Sequence, residues 1–214
     1  MTEKSAGQNL LEQSYKLSTP EDNVDYYDAF ASTYDTDFAD TLGWHYPAAI
    51  AAAYRDAATE TDTPIVDIGC GTGLVAGVLN LPQEQIDGVD ISPEMLSISE
   101  KKEVYRSLFE VDITKPMDAI KNDYGAVLSA GTFTYGHVGP EPLESLLDIA
   151  RAHALFVIGV RKTFFEEANF EPVLRGMEAR GLIQNLQVAE VPMYAKAGHD
   201  HSDDTAFALV YRKS

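Results

Sequence analysis

Ile65-Val66-Asp67-Ile68-Gly69-Cys70-Gly71-Thr72-Gly73 is a short apolar run that breaks into glycines at alternate positions, and Leu74–Leu79 follows at once with helical character. Glycine at 69, 71 and 73 lets the backbone turn sharply and lets a ligand touch main-chain amides with no Cβ between. The helix start adds amide donors and a partial positive charge, which suit a carboxylate or a phosphate.

The same grammar continues outward. Apolar runs at residues 64–69, 86–91, 107–113, 126–130 and 155–160 are too short for typical helices, and most end in turn residues. Between them lie helix signals, such as Ser92 before Pro93 and the Thr163-Phe164-Phe165-Glu166 capping-box pattern. Strands alternating with helices predict an α/β, doubly wound, mostly parallel sheet with right-handed crossovers. Gly181 reads as a helix C-cap. Residues 186–191 and 206–211 then read as an antiparallel hairpin around the polar loop 192–204, giving seven strands in all. Upstream, Ser18-Thr19-Pro20-Glu21 signals a helix start, with Tyr27, Phe30, Tyr34 and Phe38 on one face. A second helix is expected from Pro47. The expected organisation is a loose lead or short helix at residues 1–23 and one domain at 24–214. That domain divides into lid helices (20–60), a ligand-binding half (64–140) and a C-terminal half (141–214).

Composition narrows the partners. A chain of 214 residues, 45% of them hydrophobic, suits one compact domain, and 16 Lys plus Arg against 34 Asp plus Glu leave a formal charge of −18. Such a surface repels phosphate backbones and anionic lipid, so nucleic acid and membrane are disfavoured and a small-molecule acceptor is favoured. Cys70 is the single cysteine, so no intrachain disulfide forms, and no apolar stretch approaches about 18 residues. A cytoplasmic protein, monomer or homodimer, is the expectation.

Two ligand classes use a glycine turn of this kind. Gly71, Gly73 and Ala76 satisfy the loose nicotinamide dinucleotide fingerprint. Against that reading, Gly69 extends the series to G-x-G-x-G, and Asp67 interrupts an apolar strand where a carboxylate needs donors. S-adenosylmethionine offers an ammonium beside a carboxylate, whereas Asp67 would repel a pyrophosphate. No Tyr has a Lys four residues later, so the short-chain dehydrogenase pair is missing.

These residues resemble motif I of class I S-adenosylmethionine-dependent methyltransferases, and further landmarks follow in order. Residues 86–92 (Ile-Asp-Gly-Val-Asp-Ile-Ser) are similar to the second strand, and the resemblance implies that Asp90 takes both ribose hydroxyls. Residues 109–113 (Phe-Glu-Val-Asp-Ile) resemble the third, implying Asp112 at the adenine amino group and Ile91 and Ile113 around the purine. Val127-Leu128-Ser129-Ala130 takes the fourth strand, implying Ser129 and Ala130 beside the methionine portion. Tyr27 to Asp35, Asp90 to Leu96 (with Met95), Gly131 to Pro140, and Val160-Arg161 are similar to the Williams–Beuren-region methyltransferase-like family, the resemblance running from Val24 to Arg212. The chain departs from that family in having Gly43-Trp44-His45-Tyr46 and Tyr135. The resemblance implies a Rossmann-like fold and methyl transfer from S-adenosylmethionine, giving S-adenosylhomocysteine.

Candidate roles follow. Asp67, Gly69, Cys70, Gly71, Thr72 and Gly73 form the cofactor loop, where Cys70 is a small residue with no activating partner. Tyr27 and Tyr34 are either a core stripe or a face toward the sulfonium. His137, between Gly136 and Gly139 beyond the fourth strand, is placed to take a proton, or merely shapes its loop; Tyr135 is a second candidate base. Trp44, Tyr46, Phe133 and Tyr194 read as an acceptor pocket. Arg161 suits an acidic acceptor or an ordinary ion pair. His199-Asp200-His201-Ser202-Asp203-Asp204 has metal-like composition, yet its spacing favours a solvated loop, and no metal is expected. The expected reaction is in-line transfer of a methyl group to an oxygen or nitrogen. The alternatives are a module that holds S-adenosylmethionine without transfer and an NAD(P)-dependent oxidoreductase.

Overall fold

A computed structural model describes residues 6–214; residues 1–5 of the expected lead lie outside the described residues. Seven strands form one sheet: β1 (Ile65–Ile68), β2 (Ile86–Asp90), β3 (Leu108–Glu110), β4 (Tyr124–Phe133), β5 (Ala150–Arg161), β6 (Ile183–Pro192) and β7 (Thr205–Lys213). Their order is β3-β2-β1-β4-β5-β7-β6. Strands β1 to β5 pair in parallel, and β7 is antiparallel to both β5 and β6. The order reverses between β1 and β4, which opens a crevice at their carboxyl ends, as in other doubly wound sheets.

The central strands bury both faces. On β5, Leu155 and Val157 join one apolar cluster with Ile50, Tyr54, Val75 and Leu79. Phe156, Ile158 and Val160 join another with Phe133, Phe170, Leu174 and Met177. A two-residue alternation that is apolar on both sides requires helices on both sides. Those helices are α1 (Ala6–Ser14), α2 (Pro20–Phe30), α3 (Tyr46–Ala57), α4 (Leu74–Leu79), α5 (Pro93–Lys101), α6 (Lys162–Glu167) and α7 (Phe170–Ala179). None of the described helices is long and apolar enough to cross a membrane.

Local chemistry explains most of the boundaries. Thr19 caps α2, accepting from the Asp22 amide while Asp22 reaches back to the Thr19 amide, so the acid of the box is Asp22. Ser92 Oγ caps α5 by accepting from the Met95 amide at 3.1 Å. Gly181, at φ +69, ends α7 by donating to Glu178 O, while Leu182 donates to Met177 O, a Schellman arrangement.

Three expectations are corrected. β3 spans three residues rather than the whole run 107–113, because Asp112 turns the chain through bonds to Thr114. The Thr163 capping box does not form, since α6 already begins at Lys162 and places Thr163 inside its first turn. The helix expected through Phe38 breaks after Phe30 into a 3₁₀ turn (Ala31–Thr33) and a π-helical turn (Tyr34–Asp40). The rings still form a file, with Phe30–Tyr34 and Tyr34–Phe38 centroids 5.6 and 5.0 Å apart. Of the two forms expected for the lead, its described part takes the short helix: α1 buries Leu11, and Tyr26 Oη donates to Leu10 O at 2.5 Å.

Candidate active site

The crevice beyond β1 and β4 opens into a cleft lined from both the sheet edge and the N-terminal helices. Its floor is Gly69, Gly71, Asp90 and Ala130; its roof is α1, α2 and the π-helical turn.

The glycine loop is built for close approach. Gly69 has φ +65, and a Cβ there would fall on the Thr132 hydroxyl, itself bonded to Ile68 O at 3.0 Å. Gly71, at φ +51, faces open space, so its backbone is bare toward the cleft. Its amide donates to Asp90 Oδ2 at 2.8 Å, and the Ser92 amide donates to Asp90 Oδ1 at 2.9 Å. Each carboxylate oxygen keeps a second lone pair, so Asp90 can still accept two hydroxyls. Burial raises the Asp90 pKa, and the Ser92 and Gly71 amides oppose the rise.

Asp67 lies beneath this loop rather than on the cleft wall. It is fully buried, Oδ2 accepts from the Tyr105 hydroxyl at 2.7 Å, and Oδ1 has no partner among the described residues. Burial pushes its carboxyl up to about 7, against the Tyr105 hydrogen bond and with help from Asp90. Ile91, Met95, Val111 and Ile113 make an apolar slot at one end of the cleft. Asp112 borders it, accepting from the Thr114 amide and hydroxyl and pairing with Lys115 at 3.0 Å. Burial works against the Asp112 carboxylate, but these partners prevail and hold its pKa below the usual range.

On the wall of the same cleft, His137 and Tyr27 meet. The His137 Nδ1 lies 2.8 Å from Tyr135 O, a pure acceptor, so Nδ1 carries the proton. Nε2 is therefore the free base, and Tyr27 Oη donates to it at 2.8 Å. Burial depresses the imidazole pKa, opposed by the Tyr135 carbonyl, so the ring is neutral near pH 7. Burial likewise holds the Tyr27 phenol well above its ordinary value. Trp44, Tyr46, Phe133 and Met193 complete this wall. The Tyr46 hydroxyl points into the sheet, where a Cβ on Gly159 would strike it, so only its ring serves the cleft.

Four polar contacts pin the roof to the sheet. Asn23 Nδ2 donates to Gly136 O at 2.7 Å, and Ser92 Oγ donates to Asp28 Oδ1 at 2.6 Å. Asp35, from the π-helical turn, accepts from Thr72 Oγ1 and pairs with Lys102, both at 2.5 Å. Both ion-pair side chains are about a third exposed (31% and 35%), so the bond's share of global stability is small. Asp35→Ala should therefore leave the melting temperature nearly unchanged while raising the dissociation rate of S-adenosylhomocysteine roughly three- to tenfold. Stopped-flow displacement measures this, and an unchanged rate would show that the latch does not hold the roof.

Of the residues expected at the site, Tyr27, Tyr34, Trp44, Tyr46, Gly69, Gly71, Asp90, Ile91, Met95, Asp112, Ile113, Ala130, Phe133, His137 and Arg161 line one cleft. The others are displaced for simple reasons. Cys70 turns under its loop, where its Sγ faces Gly88 and burial lifts its thiol pKa well above the usual range. Thr72 is spent on Asp35, and Gly73, at φ +86, is the N-cap of α4. Ser129 alternates with Ala130 on β4 and points down to Ile68 O. Tyr194 alternates with Met193 and packs behind Trp44, with which it forms an isolated antiparallel bridge. Tyr135 turns outward onto Phe164, 4.9 Å between centroids, which leaves it off the cleft wall. The loop 192–204 is not simply solvated: His201 bonds Asp204 at 3.0 Å, and His199 packs on Tyr194. No group of three metal-ligating side chains occurs among the described residues. Missed by sequence reasoning were Leu11, Ser14, Tyr15 and Asn23. Their only signal was the apolar spacing of Leu10, Leu11 and Tyr15 ahead of the Thr19 cap.

A family described as "Methyltransferase domain" matches residues 65–154, from the start of β1 into β5. Methyltransferase-like protein 27 of Homo sapiens is 33% identical over 181 residues, which cover 81% of this chain and 73% of the human protein. The chain belongs to the class I S-adenosylmethionine-dependent methyltransferases. Solved structures share the fold of this methyltransferase at lower identity. A SAM-dependent methyltransferase of Thermotoga maritima aligns with a TM-score of 0.59 at 16% identity, covering 87% of this chain and 97% of that one. A TehB-like SAM-dependent methyltransferase of Corynebacterium glutamicum aligns at 0.56 and 20% identity, covering 92% and 100%.

Proposed function

We propose that this methyltransferase transfers the methyl group to an oxygen or nitrogen of a small, partly apolar molecule bound between Trp44 and His137. One observation carries this reading: the Tyr27–His137 pair lines the same cleft as the glycine loop and the Ile91–Ile113 slot. The residues fit the cofactor. Asp90 keeps acceptors for two ribose hydroxyls, Ile91 and Ile113 suit a purine, and the open backbone at Gly71 admits close approach of the amino-acid end. When bound, S-adenosylmethionine supplies an electrophilic methyl carbon on a sulfonium. The chain's own task is to hold the acceptor atom in line at near-attack distance and exclude water, which can be worth ~7–11 kcal/mol. His137 Nε2 receives the acceptor's proton by way of the Tyr27 hydroxyl, which passes on its own proton as it takes the new one.

Methyl transfer from labelled S-adenosylmethionine into a metabolite extract tests this reading and identifies the acceptor. With that acceptor, His137→Gln should lower kcat by about 100-fold and leave S-adenosylhomocysteine affinity unchanged. Labelled product that is unaffected by the substitution would leave the pair a purely structural role.

Asp67 yields a pH prediction. A buried carboxyl whose folded pKa of about 7 exceeds its unfolded 3.8 stabilises the ligand-free fold fully below pH 3.8 and loses that contribution as pH rises to 7. The span corresponds to roughly 4 kcal/mol. The ligand-free protein should therefore lose stability from pH 5 to pH 7. Thermal unfolding across that range measures the loss, and Asp67→Asn should abolish it.

A further inference from the structure

We propose that the cleft carries an anion-binding subsite, built on Arg161 and Tyr15, and that the acceptor bears a carboxylate. The inference rests on the acceptor lying beside His137, as argued above. Arg161 is the cleft's one permanently cationic side chain among the described residues. It is held differently from other arginines here. Arg106 grips both oxygens of Asp87, Arg180 both of Glu144, and Arg212 both of Asp62. Arg161 meets its carboxylate through Nη2 alone, at 2.7 Å from Asp204 Oδ2. That oxygen also receives His201 Nδ1 at 3.0 Å, so Asp204 is shared and the guanidinium fork is not closed by it.

The fork is oriented as well as open. The guanidinium carbon stands 4.3 Å from the centre of the Tyr15 ring and 5.5 Å from that of Tyr135, so two ring faces fix its plane. The side chain of Arg161 is 11% exposed. Nearby, Thr134 Oγ1 is buried and unbonded among the described residues, and the buried Tyr15 hydroxyl has only the Tyr194 hydroxyl beside it. The pairing of Phe133 with Val160 brings Thr134 beside Arg161 at the ends of β4 and β5. Buried donors without acceptors are costly, and a carboxylate offers several lone pairs and no competing donor. A planar guanidinium edge is matched to that group in particular. An ammonium would meet Arg161 as a like charge, and an amide would bring N–H groups to a site already rich in donors.

Three probes with one ring and one chain length test this on protein saturated with S-adenosylhomocysteine: 3-phenylpropanoate, 3-phenylpropanamide and 3-phenylpropylamine. The expected order is carboxylate, amide, amine, with the carboxylate tighter than the amide by roughly tenfold or more in Kd. Arg161→Gln should erase that difference. Arg161→Lys, which keeps the charge and loses the fork, should erase most of it. Tyr15→Phe, which removes one hydroxyl, should weaken the carboxylate alone by a few-fold. S-adenosylhomocysteine affinity in each variant reports whether the cleft remains formed. Equal binding of the three probes, no binding of any, or a carboxylate preference that survives both Arg161 substitutions would overturn the subsite. Failure of the wild-type protein to take up S-adenosylhomocysteine would instead remove the cofactor reading on which the subsite rests.

Discussion

Gly69→Ala should lower the melting temperature by about 10 °C and abolish S-adenosylhomocysteine binding with it. Two independent costs add. A residue with a Cβ at φ +65 loses roughly 1–2 kcal/mol, and overpacking a tight site costs about 1–3 kcal/mol more. The Thr132 hydroxyl in the way cannot swing aside without releasing Ile68 O, which also holds Ser129 Oγ at 2.8 Å. In a domain of this size each kcal/mol moves the midpoint by about 2–4 °C. Gly71→Ala is the informative contrast. Its Cβ meets nothing within 4 Å, so little beyond the cost of φ +51 falls on stability. The same methyl stands in the open space where the backbone faces the cleft, and ligand affinity should drop roughly 100-fold. Thermal unfolding and calorimetry on both variants separate the two effects. A Gly71→Ala protein with unchanged affinity would show that the loop does not cradle the nucleoside.

That contrast marks what was legible before the fold was known. The glycines, Asp90 and the Ser92 cap act through neighbours a few residues away or on the adjacent parallel strand, so a local pattern carries them. The roof is different. Tyr27 meets His137 across 110 residues, Asn23 meets Gly136 across 113, and Asp35 meets Thr72 across 37. No local spacing encodes such pairs, which depend on where the sheet edge brings two loops together. Alternation misled in a second way. Ser129 and Tyr194 were one residue from the side chains that face the cleft, Ala130 and Met193. The register shift in β4 between Ser129 and Phe133 helps set that phase, and it is a property of paired strands rather than of either sequence. The spacing of the histidine-bearing loop reads as solvent-facing. Arg161 and Tyr15, just beyond α1, instead draw His201 and Asp204 inward, a contact no local spacing encodes.

Replacing Asp90 should reduce S-adenosylhomocysteine affinity by about 1,000-fold, and the replacement that looks mildest should do nearly as much harm as alanine. Two hydrogen bonds from ribose hydroxyls to a charged, buried acceptor are worth roughly 1.5–3 kcal/mol each, and Asp90→Ala forfeits both. Asn conserves shape but cannot conserve function, because both Asp90 oxygens already accept from backbone amides, Gly71 on Oδ2 and Ser92 on Oδ1. An amide side chain must turn its NH₂ toward one of those N–H groups, setting donor against donor in a buried site. If the NH₂ faces Gly71, the bare stretch of the loop loses its tether; if it faces Ser92, the start of α5 does. Asp90→Asn should therefore weaken the nucleoside and also lower thermal stability. Equal nucleoside affinity in Asp90→Asn and wild type, measured by calorimetry at pH 7.5, would remove Asp90 from the ribose and leave it a loop-organising acid.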